Sequence, residues 1–183
     1  MVRRPFQVGG KDSIIYAGEL SKVYAIQNAA FEKVYGFHAG IKLNMGEGFS
    51  VMSKYNYQNG NEEMENGTVS SARHAAPAFG ETTFQFKREG LDMLFSVAYN
   101  AKVDYKDLNP EEQGKPTTYA IDREGNPYSP GWYTLNFKSN YRISKMFSIS
   151  FGIENITDQR YRPYSSGLVA SGRNFVSTFQ ATF

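Results

Sequence analysis

The last ten residues, NFVSTFQATF, alternate between two kinds of side chain. Phenylalanine and small residues occupy the odd positions, and mostly polar residues occupy the even positions. Because successive side chains of an extended strand point to opposite faces, this period of two predicts a strand with one apolar face. The same period recurs in residues 31–45, 49–58, 81–88, 91–101, 132–143 and 146–155. The alternation predicts seven strands, and no segment has a convincing helical period.

The composition excludes several classes of function. The chain has 183 residues and no cysteine, which excludes a disulfide framework and a thiolate metal site. Its net charge of +2 is too small for a nucleic-acid footprint. The mean hydropathy is −0.51 despite 13 Tyr and 14 Phe. No apolar run approaches the roughly 20 residues of a membrane helix, but a transmembrane strand needs only about 10 alternating residues. An averaged hydropathy would miss such strands.

The connections between the strands also alternate. Short turns fall at 46–48, 89–90 and 144–145, and long polar loops fall at about 59–79, 102–131 and 156–172. Short turns at one end of a sheet and long loops at the other are typical of a transmembrane β-barrel, although soluble barrels can share the pattern. Aromatic residues near the strand ends fit the interfacial girdles of such a barrel: Tyr55, Tyr57, Tyr99, Trp132, Tyr133 and Tyr141.

The polar faces carry most of the charge of the predicted strands. Their charged members are Lys42, Lys54, Lys87, Lys138, Arg142 and Glu154. In a soluble sandwich these side chains would face water, and the apolar faces would pack together. In a membrane barrel they would face a wet lumen, and the apolar faces would meet lipid. Alternation alone leaves both arrangements open, but the terminal phenylalanine, the loop asymmetry and the tyrosines favour the membrane.

The segment GIENITDQRYRPYSSGLVASGRNFVSTFQATF, residues 152–183, resembles the C-terminal end of a TonB-dependent outer-membrane receptor. Such receptors have G-x-x-N-[LI]-x-D-x-x-Y, a loop, then G-R-x-[FY] and a terminal Phe. The matching residues are Gly152, Asn155, Ile156, Asp158, Tyr161, Gly172, Arg173, Phe175 and Phe183. Ser171 stands where many relatives have Pro. A looser resemblance covers RHAAPAFG at 73–80, through His74, Pro77 and Gly80.

The resemblance implies an antiparallel up-and-down transmembrane β-barrel of 22 strands, filled by an N-terminal plug domain. Residues 1–183 are then expected to form the last seven strands and the stub of an eighth, without the plug, the TonB box or a signal peptide. The implied location is a bacterial outer membrane, and the implied function is active uptake of a scarce ligand such as a ferric siderophore, haem or cobalamin. The implied partners are lipid and lipopolysaccharide, the plug, the remaining strands, and TonB.

Several individual side chains have expected roles. Phe175, Phe179 and Phe183 resemble the signal that the outer-membrane assembly machinery reads. Lys42, Lys54, Lys87, Lys138 and Arg142 are the candidates for a lumen wall that faces the plug, and solvation by lumen water is the alternative. Asp158 is expected to accept backbone N–H groups in an Asx turn. Arg173 is expected at the extracellular rim, either meeting lipopolysaccharide or turning inward to Glu154.

The chain carries no pattern typical of an enzyme. G-x-S-x-G, H-E-x-x-H, the P-loop and a cysteine nucleophile are all missing from the sequence, so no catalytic residue and no cofactor is predicted. His38 and His74 are far apart in sequence and are not expected to bind metal or haem. The acidic stretch Asp104, Asp107, Glu111 and Glu112 is interpreted as a solvated loop face.

Two further hypotheses remain open at this stage. In the first, the chain is a complete eight-stranded outer-membrane barrel, with residues 1–16 as the eighth strand. In the second, it is a soluble β-sandwich binding module, in which Phe147, Ile149 and Phe151 belong to an internal core.

Overall fold

The computed structural model describes residues 2–27, 31–64, 68–73, 75–115 and 117–183. The strands are β1 (Val2–Pro5), β2 (Ser13–Tyr16), β3 (Glu19–Lys22), β4 (Tyr24–Gln27), β5 (Glu32–Gly46), β6 (Phe49–Glu63), β7 (Val69–Ser71), β8 (Phe79–Arg88), β9 (Leu91–Asn100), β10 (Ala120–Ile121), β11 (Pro127–Tyr128), β12 (Trp132–Arg142), β13 (Phe147–Glu154) and β14 (Asn174–Ala181). A 3₁₀ turn at Tyr105–Asp107 and a one-turn helix, α1 (Pro110–Gln113), lie in one loop. Within these ranges no helix is long and apolar enough to cross a membrane.

Seven long strands form one antiparallel sheet in the order β5-β6-β8-β9-β12-β13-β14, and β7 adds to the end of β6. Each strand therefore pairs with the next long strand along the chain, which confirms the seven predicted strands and their up-and-down order. The prediction that a loop begins at residue 59 was wrong. β6 continues to Glu63 because its polar last residues still pair with β5 and with β7.

The N-terminal strands do not join this sheet. β1 pairs with β4, and β2 pairs with β3, in two separate ladders. Residues 2–16 therefore do not supply an eighth strand of the sheet, and the hypothesis of a complete eight-stranded barrel is wrong. The sandwich hypothesis is also wrong, because among the described residues no second sheet packs on the apolar face of the first. The sheet is open in this chain, as expected for part of a larger barrel.

The strand register aligns the apolar face of each strand with the apolar face of its neighbours. Directly opposite residues share a face, and one row joins Leu43, Val51, Phe84, Phe95, Phe137, Ile153 and Phe175. The outer face therefore stays largely apolar from β5 to β14, with small hydroxyl residues such as Ser53 and Thr82 among its members. Its large side chains are exposed, among them Phe84, Phe95, Ile149 and Phe151. A soluble monomer does not expose an apolar patch of this extent to water, so the face is suited to lipid.

Tyrosines mark the ends of the apolar face. Near the long loops, Tyr55 lies opposite Gly80, Gly80 opposite Tyr99, and Tyr99 opposite Tyr133. Tyr141 lies eight positions beyond Tyr133 on β12, which is about 26 Å along the strand. A strand tilt of about 40° reduces this to a height of about 20 Å, close to the apolar band of an outer-membrane barrel. The row of Tyr55, Tyr99 and Tyr133 therefore lies where one interfacial girdle is expected, and Tyr141 lies at the height of the other.

Trp132 does not belong to this outer set, and the prediction that placed it there was wrong. It lies opposite Asn100, on the polar face, because it is one position out of phase with Tyr133.

The short turns use two different devices. Glu89 and Gly90 both have positive φ, at 46° and 86°, as a two-residue hairpin turn requires. The turn at 144–145 contains no glycine. There the Ser144 hydroxyl instead accepts hydrogen bonds from the backbone N–H groups of Met146 and Phe147.

Candidate functional site

The polar face of the sheet bounds a cleft of about 1020 Å³, here called the inner cleft. Side chains of β8, β9, β12, β13 and β14 line its wall, and residues of the last loop cover its end near the long loops. Glu81, Lys138 and Glu154 give the wall charges of both signs, between hydroxyl and amide side chains such as Thr83 and Asn136. Apolar side chains such as Met52, Leu94 and Val176 also line the cleft, so its wall is mixed in polarity.

The five cations predicted to face the lumen all lie on the polar face, but not in one cluster. Lys138 lines the inner cleft. Lys87 and Arg142 line a depression of about 630 Å³ at the end of the sheet with short turns. Lys54 lies opposite Glu81, and Lys42 lies opposite Met52. Their common face agrees with a lumen wall, while the contact with a plug stays a prediction.

Asn155 organises the loop after β13, which spans residues 155–173 and is here called loop C. It is buried, and its φ of 50° is one that Asn tolerates better than most residues. Its Nδ2 donates to the carbonyls of Gln159 (2.8 Å) and Ser171 (3.2 Å), and its Oδ1 accepts from the Gln159 N–H (2.9 Å). One side chain thus joins the two ends of loop C. The hydrogen-bond acceptor at Ser171 is its backbone carbonyl, so a proline at this position would accept the same hydrogen bond.

Asp158 and Gly172 form a second closure of loop C. Asp158 Oδ1 accepts from the Arg173 N–H at 2.8 Å, so it bonds across the loop and not within the local Asx turn that was predicted. A Cβ at Gly172 would lie 2.7 Å from the same Oδ1, which explains why glycine precedes the arginine. Arg173 Nε donates to the Ile156 carbonyl at 2.9 Å. It therefore does not turn inward to Glu154, whose carboxylate accepts from Asn174.

The loop before β8 and the loop between β9 and β12, here called loop A (64–78) and loop B (101–131), pack together. Asn109 is buried at the start of α1 and accepts from the Glu111 N–H, as an N-cap does. Its Nδ2 donates to Glu62 Oε1 and to the Ser71 carbonyl, both at 2.8 Å. Leu108 is buried in the same region. These contacts fix the short helix on the end of β6.

Glu112 contradicts the prediction that the acidic stretch is a solvated face, because it is 0% exposed. Its carboxylate accepts from the Tyr119 hydroxyl at 2.7 Å and pairs with Lys115. Burial, and then the hydrogen bond to Glu112, raise the pKa of Tyr119 well above its usual value of 10.0. Burial, and then the charge of Glu112, also raise the pKa of Tyr164 in loop C.

Loops B and C meet over a second space of about 380 Å³, here called the loop cavity. Trp132 and Tyr161 pack against each other in its wall, with ring centroids 4.2 Å apart and ring planes inclined by 34°. Arg162 crosses between the loops and donates to the Thr117 carbonyl at 2.8 Å. Tyr161 lines both the loop cavity and the inner cleft, so the two spaces share this wall. The indole Nε1 of Trp132 is buried, and it has no hydrogen-bond partner in the described part of the chain.

The remaining predicted residues have no shared site. Among the described residues no group of His, Asp and Glu side chains is placed to hold a metal ion. His38 lies on β5 opposite Asn56, and His74 lies outside the described residues. In the acidic stretch, Asp104 pairs with Lys102 and Glu111 with Arg73.

The three terminal phenylalanines occupy the outer edge of the sheet. Phe175 and Phe179 are each 63% exposed on the apolar face of β14. Phe179 stacks on Phe147 with centroids 5.7 Å apart. β14 ends at Ala181, so Phe183 lies beyond the last ladder pair and is fully exposed. Their role in assembly stays a prediction.

Sequence reasoning missed the loop cavity and the buried part of loop B. The signal for α1 is present in the sequence as Asn109 followed by Pro110, Glu111 and Glu112, an N-cap followed by proline and acidic residues in the first turn. No local signal reveals the loop cavity, because its two walls come from segments about 30 residues apart.

Three solved structures are similar to the structure of this chain. The copper transporter OprC has a TM-score of 0.64 at 12% identity, over 90% of this chain and 24% of its own length. The ferric citrate transporter FecA, unliganded, has a TM-score of 0.64 at 15% identity, over 83% and 24%. The ferric enterobactin receptor PfeA of Pseudomonas aeruginosa has a TM-score of 0.62 at 17% identity, over 89% and 24%. At these identities the likeness establishes the fold.

The chain spans about a quarter of the length of each of these proteins. A comparison with curated proteins found no match. A family model described as "TonB dependent receptor-like, beta-barrel" matches residues 5–156, most of the chain. Together with the open antiparallel sheet, its apolar outer face and its long loops at one end, this match shows that the chain belongs to the TonB-dependent receptor family.

Proposed function

We propose that this chain forms the C-terminal part of the barrel domain of a receptor that takes up a scarce ligand across a bacterial outer membrane. Members of the family are outer-membrane receptors and transporters, not enzymes. The observation that carries the proposal is the separation of the two faces of one sheet. A largely apolar face suits lipid, and the opposite face bounds a cleft with charged and hydroxyl side chains whose end is covered by a packed loop.

The partners follow from the same two faces. The outer face would meet lipid, and the tyrosine row near the loops would meet the lipopolysaccharide leaflet. The inner cleft, with Lys138 in its wall and further cations on the same face, would receive the plug domain. Strands supplied by the rest of the receptor would pair with the free edges of β5 and β14. In this proposal TonB acts on the plug, so the present chain contributes wall and loops and carries no chemistry of its own.

The transported ligand is proposed at the level of a class: a ferric siderophore, haem, cobalamin or a similar scarce compound. The similar structures support a metal or metal-chelate ligand, because they are described as a copper transporter, a ferric citrate transporter and a ferric enterobactin receptor. Loops A, B and C are the candidates for capture, since they lie together at one end of the sheet and contact one another.

The proposal also covers assembly. Phe175, Phe179 and the exposed Phe183 would present an apolar, C-terminal edge to the assembly machinery before β14 pairs with the first strand of the complete barrel. An unpaired strand edge would otherwise be a site of aggregation.

The test is energy-dependent uptake by the intact protein that carries this chain. The protein would be expressed in a Gram-negative strain without its own siderophore receptors, and uptake of a panel of ⁵⁵Fe-labelled siderophores and haem would be measured. We expect the protein in the outer-membrane fraction, and uptake of at least one compound that is abolished in a matched strain without TonB. Recovery in the soluble fraction, or uptake that is the same in both strains, would contradict the proposal.

A further inference from the structure

The loop cavity differs in chemistry from the inner cleft below it. Its wall contains two cationic side chains, Arg160 and Arg162, and no Asp or Glu is among the described residues that line it. The buried carboxylate of loop B, Glu112, is not among the lining residues; it accepts from Tyr119, which is, and its charge is paired with Lys115. The cavity is therefore a locally positive space.

Aromatic and apolar side chains form much of the rest of the wall. The rings of Trp132 and Tyr161, whose planes are inclined by 34°, form one side, and Pro130, Pro163 and Val169 contribute apolar surface. The volume of about 380 Å³ is at the lower end of the range of roughly 300–1,000 Å³ found for small-molecule sites. Rings fit against rings at offset or tilted angles, so this wall favours a planar group over a branched or spherical one.

The two arginines are not equivalent. Arg162 is partly buried and already donates to the Thr117 carbonyl, so it holds loops B and C together as well as lining the cavity. Arg160 is exposed, and no hydrogen bond or ion pair to it is present among the described residues. Its planar guanidinium can therefore bind a carboxylate or phenolate oxygen without first giving up a protein contact.

We infer that the loop cavity binds an anionic, planar group of the transported ligand: a carboxylate or phenolate carried on an aromatic or conjugated ring. This inference rests on the proposed function and narrows it, because it favours an aromatic acid or its metal chelate over a neutral sugar. The shared wall at Tyr161 places the bound group next to the inner cleft, on the side of the sheet that faces the lumen. Arg160 is the binding residue, and the Trp132–Tyr161 pair is the stacking surface.

The experiment uses the intact protein in detergent micelles, labelled with 5-fluorotryptophan. Trp132 is the one tryptophan of this chain, and its fluorine resonance is assigned as the one that disappears in Trp132→Phe. Three probes share a single planar ring and differ in charge: benzoate, benzamide and benzylammonium. We expect benzoate to shift the Trp132 resonance saturably, with a Kd at least tenfold lower than that of benzamide, and benzylammonium to cause no shift.

The variants test which residue causes the selectivity. Arg160→Gln should raise the Kd of benzoate at least tenfold and remove its advantage over benzamide. Arg123→Gln is the matched control, because Arg123 is an exposed arginine of loop B that does not line the cavity, and it should leave the Kd unchanged. Equal affinity for benzoate and benzamide, or an unchanged Kd in Arg160→Gln, overturns the inference.

The two proposals can fail separately. TonB-dependent uptake together with no preference for benzoate would retain the receptor function and reject the anion site. Arg160-dependent binding of benzoate without uptake of any labelled compound would retain the anion site and reject uptake as its purpose. Loss of secondary structure is checked by circular dichroism in each variant, and Arg160 is exposed and unpaired, so its replacement should leave the fold intact.

Discussion

Replacing Asn155 should release loop C without disturbing the sheet. Asn155 makes three side-chain hydrogen bonds, to the carbonyls of Gln159 and Ser171 and from the Gln159 N–H. At about 0.5–1.5 kcal/mol each, these bonds contribute about 3 kcal/mol to loop closure. Its positive φ would cost an alanine about 1 kcal/mol more, because Ala disfavours the left-handed region that Asn and Gly accept. Asn155→Ala should therefore cost about 4 kcal/mol, and Asn155→Gly about 3 kcal/mol.

Hydrogen–deuterium exchange of peptides that cover loop C measures this cost directly. The reporter amides are those of Gln159, Ala170 and Arg173, each of which donates within loop C. Since 1.36 kcal/mol is a factor of ten, Asn155→Gly should lower their protection about 100-fold and Asn155→Ala about 1,000-fold, down to the limit of an open loop. The intact protein in detergent serves for all variants, and peptides from β9, which pairs with β8 and β12, should keep their protection.

Asn174→Ala is the matched control. Asn174 is exposed and makes a single bond to Glu154 at 3.2 Å, so its loss should change protection less than about threefold. The reasoning would be refuted if Asn155→Gly behaved like this control, because three buried hydrogen bonds would then contribute nothing. Equal protection in Asn155→Ala and Asn155→Gly would instead refute the backbone part of the argument.

Three further predictions concern the barrel wall and loop B. Gly80→Ala should destabilise the sheet by about 1–3 kcal/mol, as an overpacked site does. The new Cβ would overlap the Lys54 backbone carbonyl oxygen, which cannot move aside, and would lie 2.5 Å from the Tyr99 hydroxyl. Thermal melting of Gly80→Ala against Gly40→Ala, where the nearest atom lies 3.8 Å away, checks this. Tyr119→Phe should cost loop B about 1–3 kcal/mol, because Glu112 loses a donor at a buried carboxylate, and proteolysis rates within loop B measure it. The raised pKa of Tyr119 means that the unfolded loop loses its proton first, so loop stability should hold below pH 10 and fall above it. Exchange protection at pH 9 and pH 11 should differ in the wild type and differ less in Tyr119→Phe.

The strands could be predicted because their signal is local. The alternation of apolar and polar residues is visible within Phe147–Glu154 and within Asn174–Ala181. β13 pairs with β14 because loop C joins these two consecutive strands. The same period of two gives the correct face for Trp132, because its position in the alternation places it on the polar face. Its aromatic character had suggested the interface instead, which shows that phase is a stronger guide than residue type in a strand.

The loops could be predicted only in part. The resemblance at 152–183 picked out Asn155 and Asp158, but it did not specify that both bond across loop C. The burial of Glu112 depends on Tyr119 and on loop C, and a run of acidic residues in isolation indicates solvent. Neighbours that are distant in sequence decide such cases, and one sequence does not reveal them.

The buried residues and the exposed apolar residues of this chain lie in different parts of the structure. Its buried residues lie at the loop end: Ala72, Leu108 and Tyr119 among the apolar ones, with Glu112 and Asn155 among the polar ones. The apolar side chains of the strands remain exposed, and in the proposed function lipid covers them. Loops A, B and C therefore acquire their shape from contacts within the chain, so that a ligand meets a surface whose ordering cost is already met by folding. Substitutions in this loop network should thus change ligand binding while membrane insertion stays the same, and substitutions on the outer face should do the reverse.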